Sequence, residues 1–332
     1  MQDLAKIRLG KPASYPDQTV YAEYACAEFG LAFEDIDGGT GLAFSVASTA
    51  KCIHFGAGRC SWYPQNNATA TTLASDKYFT NIILERAGIG TLGGDYFFLH
   101  ERFRARRPRG HEIEDALKYF KSLGATAFAK PLLGSRGDFA QAVYDEATLK
   151  SYILSVSRCY DSILMQPLVS GDEYRVFLLD DDVLYAARKY PPVVLGDGVR
   201  SIRDLLSEHN AALQARGLSP AVSPAGDPVL DRVLPGGERW ALPGRMNLSA
   251  GGTMTLEARP STAVTAAASN AVRALGLRVA AVDLFSNING RPEAPAVIEV
   301  NSNPSIRLLE DSARADLILK IWHHTFSSMG LL

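Results

Sequence analysis

The sequence predicts an α/β (α+β) protein with more than one packed unit, and three observations support this. The chain has 332 residues, enough for about two or three units of roughly 100–200 residues each. Hydrophobic residues make up 47% and charged residues 21% of it, as is typical of a globular protein. Apolar residues recur with helical spacing in some segments and form short strand-like runs in others.

Composition also limits the partners and the compartment. The 34 basic and 36 acidic residues give a net charge of −2, which argues against bulk electrostatic binding of nucleic acid or anionic lipid. The four cysteines, Cys26, Cys52, Cys60 and Cys159, fit free thiols better than a disulfide framework. The first residues carry charges where a signal peptide has an apolar core, and no run approaches the roughly 18 apolar residues of a spanning helix. We therefore expect a cytoplasmic protein.

The first half of the chain predicts a small N-terminal unit followed by two helices. Residues 1–74 mix short apolar runs with Gly-rich and Asn-rich turns and indicate strands and short helices. Ser75 is the expected N-cap of the first firm helix, with Asp76 in its first turn and Gly88 at its end. A second helix is expected over 112–123.

The middle of the chain predicts strands around one helix. Strands are expected in ATAFAKPLL, SILMQPLV, EYRVFLLD and DVLYAARKY, with a hairpin joining the last two. The helix is expected in EATLKSYILSV, where apolar residues recur every three or four positions.

The C-terminal part predicts a loop-rich connection and then a helix, two strands and a final helix. Residues 216–245 hold five prolines and five glycines and indicate an irregular segment. A helix over 261–275 is followed by LRVAAVDLF and AVIEVN, a pair of buried strands. The last helix is expected over 314–329.

Two familiar motifs do not indicate sites here. GIGTLG at Gly88–Gly93 fits the dinucleotide-binding pattern, but it follows a helix and not a strand. Cys52, His54 and Cys60 lack zinc-site spacing and a second pair of ligands. The sequence also lacks G-x-x-x-x-G-K-[ST], which excludes the commonest phosphate-binding loop.

A stronger signal comes from three segments whose chemistry is consistent. In AKPLLGSRGD, Lys130 ends a strand and precedes a small, donor-rich loop suited to binding phosphates. In AAVDLF and IEVNSNP, Asp283, Glu299 and Asn301 offer the hard oxygen ligands that magnesium prefers. Alternation puts Glu299 and Asn301 on one strand face. A structural hydrogen-bond network around the two carboxylates is the alternative.

At these residues the sequence resembles the ATP-grasp superfamily, most closely the ATP-grasp portion of cyanophycin synthetase and of the bifunctional glutathione synthetases. The resemblance runs from about Lys51 to Asp311. The segments that carry it include SDKYFT, AKPLLGSRG, PLVSGDEYRVFLLDDDVLYAARKYPP, GDGVRSIRDLL, RMNLSAGGT, AAVDLF and IEVNSNPS. The order and spacing of these segments make the resemblance specific, and NLSAGGT is its most telling part.

The resemblance implies two α/β lobes that grip ATP, preceded by the small N-terminal unit. By position, Lys77 and Lys130 match phosphate-contacting lysines, Gly134, Ser135 and Gly137 belong to the lid loop, and Met165, Gln166 and Val169 to the adenine hinge. Glu173 matches the ribose ligand, Arg188 or Lys189 a basic residue near the phosphates, and Asp283, Glu299 and Asn301 the magnesium ligands. Arg245 matches an arginine that holds an acyl phosphate, and Asn247 in NLSAGGT is a further catalytic candidate.

The chain departs from the family pattern at two of these places. Phe139 stands where the lid loop has a further glycine, so an aromatic side chain would stiffen the lid or cover the substrate. Gln166 stands where the family often has a glutamate that accepts from the adenine amino group. Because a glutamine side-chain oxygen also accepts hydrogen bonds, ATP remains the expected nucleotide.

The loop ERFRARRPRG allows three interpretations. It carries the arginines Arg102, Arg104, Arg106, Arg107 and Arg109. A solvated loop is favoured because the chain as a whole is near neutral. The second is a clamp for a multiply anionic substrate. The third is nucleic-acid binding, which is disfavoured because the loop lacks interleaved aromatic residues in stacking register.

We therefore expect an ATP-dependent carboxylate–amine ligase that works through an acyl phosphate. The alternatives left open are an ATP-grasp phosphotransferase or carboxylase-type enzyme and an inactive ATP-binding regulatory module. The expected cofactors are ATP and Mg²⁺, as two ions, with Mn²⁺ able to substitute. We expect amino acid or small peptide substrates and neither a membrane nor a nucleic-acid partner; a homodimer or higher homo-oligomer is left open. The expected division is an N-terminal unit over 1–74, a lid subdomain over 75–165 and a metal-binding subdomain over 166–332.

Overall fold

The computed structural model describes residues 4–56, 61–134, 137–215, 220, 226–242, 252–257, 260–291 and 295–332. Its helices are α1 (Leu4–Leu9), α2 (Asp17–Phe29), α3 (Ala68–Ser75), α4 (Lys77–Arg86), α5 (Ile113–Ser122), α6 (Glu146–Val156), α7 (Ile202–Ala215), α8 (Thr262–Leu275), α9 (Arg307–Asp311) and α10 (Ala315–Ser328). None of these helices is long and apolar enough to cross a lipid bilayer.

The strands of the described residues form four separate sheets. They are β1 (Ala32–Asp35), β2 (Ala43–Ala47), β3 (Cys52–Gly56), β4 (Asp95–Phe98), β5 (Ala127–Pro131), β6 (Gln141–Val143), β7 (Ser162–Gln166), β8 (Asp172–Leu179), β9 (Asp182–Tyr190), β10 (Val193–Leu195), β11 (Arg239–Ala241), β12 (Thr253–Glu257), β13 (Val279–Ser286) and β14 (Ala296–Asn301). The sheet orders are β1-β2-β3, β4-β7-β5-β6, β12-β9-β8-β13-β14 and β10-β11.

The N-terminal unit is joined to the end of the chain by an aromatic core. Phe44 stacks on Phe55 with ring centroids 5.1 Å apart. Trp322 of α10 meets both rings edge-on and is fully buried. Such aromatic pairs stabilise a fold by more than the burial of their apolar surface alone would. The first three strands and the last helix therefore share one core.

The sheet β4-β7-β5-β6, which we call the lid sheet, has one covered face. Ala129, Met165 and Phe97 belong to a core formed with α5 and α6. Because side chains alternate along a strand, Lys130 and Gln166 lie on the opposite face. That face looks toward the large sheet, since Lys130 Nζ donates to the Ile298 carbonyl of β14 at 3.4 Å.

The sheet β12-β9-β8-β13-β14, which we call the large sheet, has a hydrophobic core on each face. Val176, Ala186 and Val282 pack with α8 and with residues of α3 and α4. On the other face, Phe177 and Tyr185 join the aromatic core of the N-terminal unit, and the polar side chains described below lie further along the same face. A bulge leaves Ile298 as an extra residue, because Asp283 pairs with Glu299 while Leu284 pairs with Val297.

Most predicted elements are confirmed, with one corrected helix start. Ser75 is not the N-cap of α4: its hydroxyl donates to the Thr71 carbonyl at 2.8 Å and it ends α3. Asp76 is the cap, because its carboxylate accepts from the backbone N–H groups of Tyr78 and Phe79. The prediction missed the helices α3, α7 and α9 and the short strands β4, β6, β10, β11 and β12.

The segment expected to be irregular is described in part. Within 226–242, the chain forms a short 3₁₀-helix over Pro228–Asp231 and strand β11, which pairs with β10. Leu230, Leu234 and Leu242 join Ile202 of α7 in a small separate core. The predicted boundaries between units stay a prediction, as does the cellular location.

Candidate functional site

Two buried lysines lie where the lid sheet meets the rest of the chain. Lys77 begins α4, is 8% exposed and donates to the carbonyl oxygens of Gly134 at 2.6 Å and Leu132 at 3.3 Å. Lys130 on β5 is 5% exposed. Burial lowers the pKa of Lys77, and it lowers the pKa of Lys130 to about 8. Among the described residues, no carboxylate oxygen lies within ion-pairing distance of either lysine.

A carboxylate on the large sheet is held by two cations. Asp283 is 1% exposed, and Arg175 on the neighbouring strand donates to both of its oxygens, at 2.8 and 2.7 Å. Lys189 Nζ lies 2.9 Å from Asp283 Oδ2 and 2.5 Å from Glu173 Oε1. Burial alone would raise the pKa of Asp283, but Arg175 and Lys189 outweigh it and hold this pKa below its ordinary value. Asp283 is therefore an oriented, ionised carboxylate.

The next strand places two further oxygen donors beside Asp283. Glu299 is its cross-strand partner, and Asn301 follows two residues later on the same face. Asn301 Nδ2 donates to Glu299 Oε1 at 3.2 Å. The amide oxygen of Asn301 therefore points away from Glu299. The predicted trio is thus brought together. No group of three or more His, Cys, Asp or Glu side chains that could hold a metal occurs in the described ranges, so any metal here would depend on the amide and on ligand oxygens.

The register separates the two basic candidates on β9. Lys189 lies opposite Glu173 on the polar face of the large sheet. Arg188 points to the other face, where it pairs with Asp172 and lies 5.8 and 5.4 Å from the ring centroids of Tyr174 and Tyr190. Of the two, only Lys189 lies among the site residues.

The predicted hinge residues, at the end of β7 and just after it, meet the loop between α4 and β4. Met165 turns its side chain into the lid core, whereas Gln166 is 1% exposed and lies on the face of the lid sheet that looks toward the large sheet. Gln166 Nε2 donates to the Gly93 carbonyl at 2.7 Å. Val169 is half-buried. Gln166 is thus the hinge side chain on the face that also carries Lys130.

The lid loop is described on both sides of a gap at 135–136, which contains Ser135. Gly134 is packed tightly, since a Cβ there would lie 2.8 Å from Pro131 Cβ. Gly137 has φ +67°. Phe139 packs against the lid core, with its ring 6.0 Å from that of Tyr160. Of the two predicted roles for Phe139, this contact favours stiffening of the lid.

Some predicted residues fall outside the described ranges, and one site residue was not predicted. Arg245 and Asn247 lie outside the described residues. Arg175 was missed, although its position two residues after Glu173 on a strand places both on one face. That spacing is the signal that would have found it.

The arginine loop pairs internally. Arg104 donates to Glu101 at 2.9 Å and Glu114 at 3.3 Å. Arg107 donates to Glu112 at 2.7 Å and lies 4.3 Å from the Phe98 ring centroid. These contacts neutralise two of the five arginines, and the choice between a solvated loop and an anion clamp stays a prediction.

The curated relatives match less than half of this chain and less than a fifth of their own length. No protein-family profile matches the chain. The bifunctional glutathione biosynthesis protein of Listeria innocua is 25% identical over 149 residues, which cover 44% of this chain and 18% of that protein. The protein of the same name from Desulfotalea psychrophila is 30% identical over 161 residues, 46% of this chain and 18% of the relative. The matched part is thus less than a fifth of the length of either relative.

A solved structure extends the similarity to nearly the whole chain. The bifunctional glutathione synthetase of Pasteurella multocida superposes with a TM-score of 0.51 and 17% identity, over 92% of this chain and 43% of that one. A D-alanine–D-alanine ligase from Bacillus anthracis gives a TM-score of 0.49 at 15% identity, over 80% of this chain and 72% of the ligase. The chain therefore has the ATP-grasp fold, and its resemblance to the bifunctional glutathione synthetases is confirmed.

Proposed function

We propose that this chain is an ATP-dependent carboxylate–amine ligase. It joins an amino acid or small peptide to an amine through an acyl phosphate and releases ADP and phosphate. The names of the relatives support the reaction class, since both take part in glutathione biosynthesis. Their products are not transferred to this chain.

The observation that carries the proposal is a pair of buried cations that face a group of acids. Lys77 and Lys130 are each more than 90% buried, and in the described ranges neither has a carboxylate partner. Burying an ammonium group without a counterion is costly. An anionic ligand with several oxygens, such as a triphosphate, would compensate both charges at once. The lysines therefore favour a nucleotide phosphate site.

Asp283, Glu299 and Asn301 fit magnesium as a donor set. Mg²⁺ takes about six oxygen ligands and is usually bound by one or two carboxylates together with phosphate oxygens and water. Both Asp283 oxygens already accept from Arg175, and one also lies 2.9 Å from Lys189, so Glu299 and Asn301 offer the freer oxygens and Asp283 has few lone pairs left for a metal. The other metal positions are left for phosphate oxygens and water. When bound, the metal would neutralise charge on the transferring phosphoryl group. Mn²⁺ has similar ligand preferences.

The remaining predicted residues take roles around this centre. We assign the lid loop with Gly134, Ser135 and Gly137 to the phosphates, the hinge over 165–169 to the base and Glu173 to the ribose. Lys189 takes the basic position near the phosphates. Arg245 and Asn247 are assigned to the acyl phosphate by the resemblance alone. The division into units over 1–74, 75–165 and 166–332 belongs to the same proposal.

A hydroxylamine trap tests the reaction. If a carboxylate is activated before an amine attacks, hydroxylamine should replace the unknown amine and yield a hydroxamate with ATP and magnesium. A panel of amino acids and short peptides, followed by hydroxamate colour and ADP release, identifies the carboxylate. Candidate amines are then added to the hit, and mass spectrometry should find a product lighter than the two reactants by one water. A stable phosphorylated product without amide would indicate a phosphotransferase, and ATP binding without turnover on the panel would indicate the regulatory module.

Lys130 gives the nucleotide site a pH signature. With a pKa of about 8, about half of these side chains are neutral in the free protein at pH 8. Phosphate charge favours the ammonium form, so ATP binding should take up as much as about half a proton at pH 8. At pH 6.5 Lys130 is already charged, so it should contribute no proton uptake on ATP binding. Calorimetry in two buffers of different ionisation enthalpy measures the number of protons taken up. In Lys130→Met the uptake at pH 8 should be lost; equal uptake in the variant would contradict the assignment.

A further inference from the structure

The N-terminal part of the chain holds the segment that follows β14. The Ser302 carbonyl accepts hydrogen bonds from Asn66 Nδ2 at 3.0 Å and from the Ser61 hydroxyl at 3.3 Å. Asn303 Oδ1 accepts from the Trp62 backbone N–H at 3.1 Å. Because Ser302 directly follows the last residue of β14, these contacts fix the end of the strand that carries two of the candidate metal ligands.

Asn66 also bonds the beginning of β13. Its Nδ2 donates to the Val279 carbonyl at 2.8 Å, and its Oδ1 accepts from the backbone N–H groups of Arg278 at 2.7 Å and Val279 at 3.0 Å. An amide side chain can donate twice and accept twice, so with the bond to Ser302 all four positions are used. Asn66 is 6% exposed, which keeps water from competing for these bonds.

The Asn66 side chain lies where the backbone pairing of β13 with β14 stops. Ala281 and Asn301 are the last pair of that ladder, and Val279 and Ser302 lie just beyond them. Asn66 bridges the carbonyl oxygens of these two residues, so it continues the connection between the strands after their backbone hydrogen bonds end. Buried backbone polar groups need partners, so the two strand ends can separate only at a cost in free energy.

The position of β14 relative to β13 matters for magnesium. Glu299 and Asn301 lie on β14, and Asp283 lies on β13 opposite Glu299. Mg²⁺ binds its oxygen ligands at about 2.0–2.1 Å in nearly octahedral geometry, and a site that its supporting residues leave about 1 Å too loose fails. A small shift of the end of β14 should therefore weaken binding of the metal more than binding of the nucleotide, whose phosphates are assigned to Lys77 and Lys130 on other elements.

We propose that Asn66 is a positioning residue for the magnesium site, because it holds the end of β14 against β13 and so keeps Glu299 and Asn301 in place. The inference rests on the proposed function and adds a residue of the N-terminal part to it. Asn66 acts through the backbone of the two strands, since each end of its amide is bonded to backbone groups and leaves no donor or acceptor for a ligand.

Asn66→Ala and Asn67→Ala, at neighbouring positions, form a matched pair of variants. Asn67 caps α3, where its side chain accepts from the Ala70 backbone N–H at 2.8 Å. Calorimetry on the full chain gives the ATP affinity in excess Mg²⁺ and in EDTA, and the ratio of the two is the gain due to magnesium. Asn66→Ala should lower this gain about tenfold, while its ATP affinity in EDTA stays within about twofold of wild type. Asn67→Ala should keep the gain within about twofold, even where loss of the cap lowers its thermal midpoint.

Ser61→Ala keeps the inference testable if Asn66→Ala does not fold. It removes the second donor to the Ser302 carbonyl and spares the Asn66 amide, so the gain should fall about threefold. A folded Asn66→Ala with the full gain would overturn this inference alone, and so would Ser61→Ala with the full gain where Asn66→Ala is unfolded.

The remaining outcomes separate a positioning role from a merely structural one. An equal loss of ATP affinity in Mg²⁺ and in EDTA, or an equal loss of the gain in Asn67→Ala, would also overturn the inference, because general damage to the fold acts in these ways. A wild-type chain that binds ATP without any gain from Mg²⁺ would overturn the metal site together with this inference. A wild-type chain that binds no ATP would overturn the proposed function.

Discussion

Replacing Glu299 by alanine is expected to lower ADP release at least about a thousandfold, with the fold unchanged. A metal-bridged phosphoryl transfer draws several kcal/mol of charge stabilisation from its metals, and about 4 kcal/mol corresponds to a thousandfold in rate. Glu299 is half-buried, and its side-chain hydrogen bond in the described part of the chain comes from the Asn301 amide. Glu299 has no ion pair in the described part of the chain, so its removal breaks none, although Lys77 and Lys130 lose the attraction of its charge. The measurement is ADP release with the carboxylate found by the hydroxylamine trap.

Three controls show whether Glu299→Ala loses activity because it cannot bind the metal or because its fold is damaged. Glu299→Gln keeps the size and hydrogen bonding of the side chain but removes its charge, so it should lose most of the activity too. ATP affinity in EDTA should stay within about twofold of wild type for both variants, because the lysines still bind phosphate. The thermal midpoint should also be nearly unchanged. A Glu299→Ala protein that releases ADP at a near-normal rate would refute the metal assignment.

The elements best predicted from the sequence are those whose signals are local. The helix over Glu146–Val156 has an Asp145 N-cap and regular apolar spacing, and its observed bounds match the expected segment. Helix α3 was missed because ATATTLAS has few large apolar residues, and its burial depends on contacts with β14 and α8 far along the chain. Ser75 and Asp76 are both good caps in sequence, and only the hydrogen bonds decide between them.

The sequence predicted which residues lie in the candidate site, but it did not predict which of their side chains contact one another. Strand alternation predicted that Glu299 and Asn301 share a face, and the oxygen donor on the adjacent predicted strand, together with the resemblance, added Asp283. The choice of Lys189 over Arg188 needs the register of β8 and β9, because adjacent residues on a strand face opposite sides. The contact between Gly93 and Gln166 joins residues 73 positions apart and has no sequence pattern that would indicate it.

Replacing Asp283 by alanine is expected to damage the fold as well as the activity. Asp283 compensates Arg175 and Lys189, and its removal leaves two cations in a buried site with only Glu173 nearby to pair with Lys189. Breaking a buried pair by removing one partner costs about 3–5 kcal/mol. Chemical denaturation should therefore show a clear loss of stability, in contrast to Glu299→Ala. Equal stability of the two alanine variants would contradict this prediction.

A double variant tells whether the loss comes from the unpaired cation. Arg175→Met removes the guanidinium and keeps an apolar stem of similar reach, so Asp283→Ala combined with Arg175→Met should regain part of the lost stability. The two side chains are in direct contact, so the double-mutant cycle should give a coupling energy of about 1–3 kcal/mol. Activity should stay low in the double variant, because the oxygen donor beside Glu299 is still missing. Additive losses of stability would mean that Arg175 does not depend on Asp283, and recovered activity would mean that Asp283 is not a metal ligand.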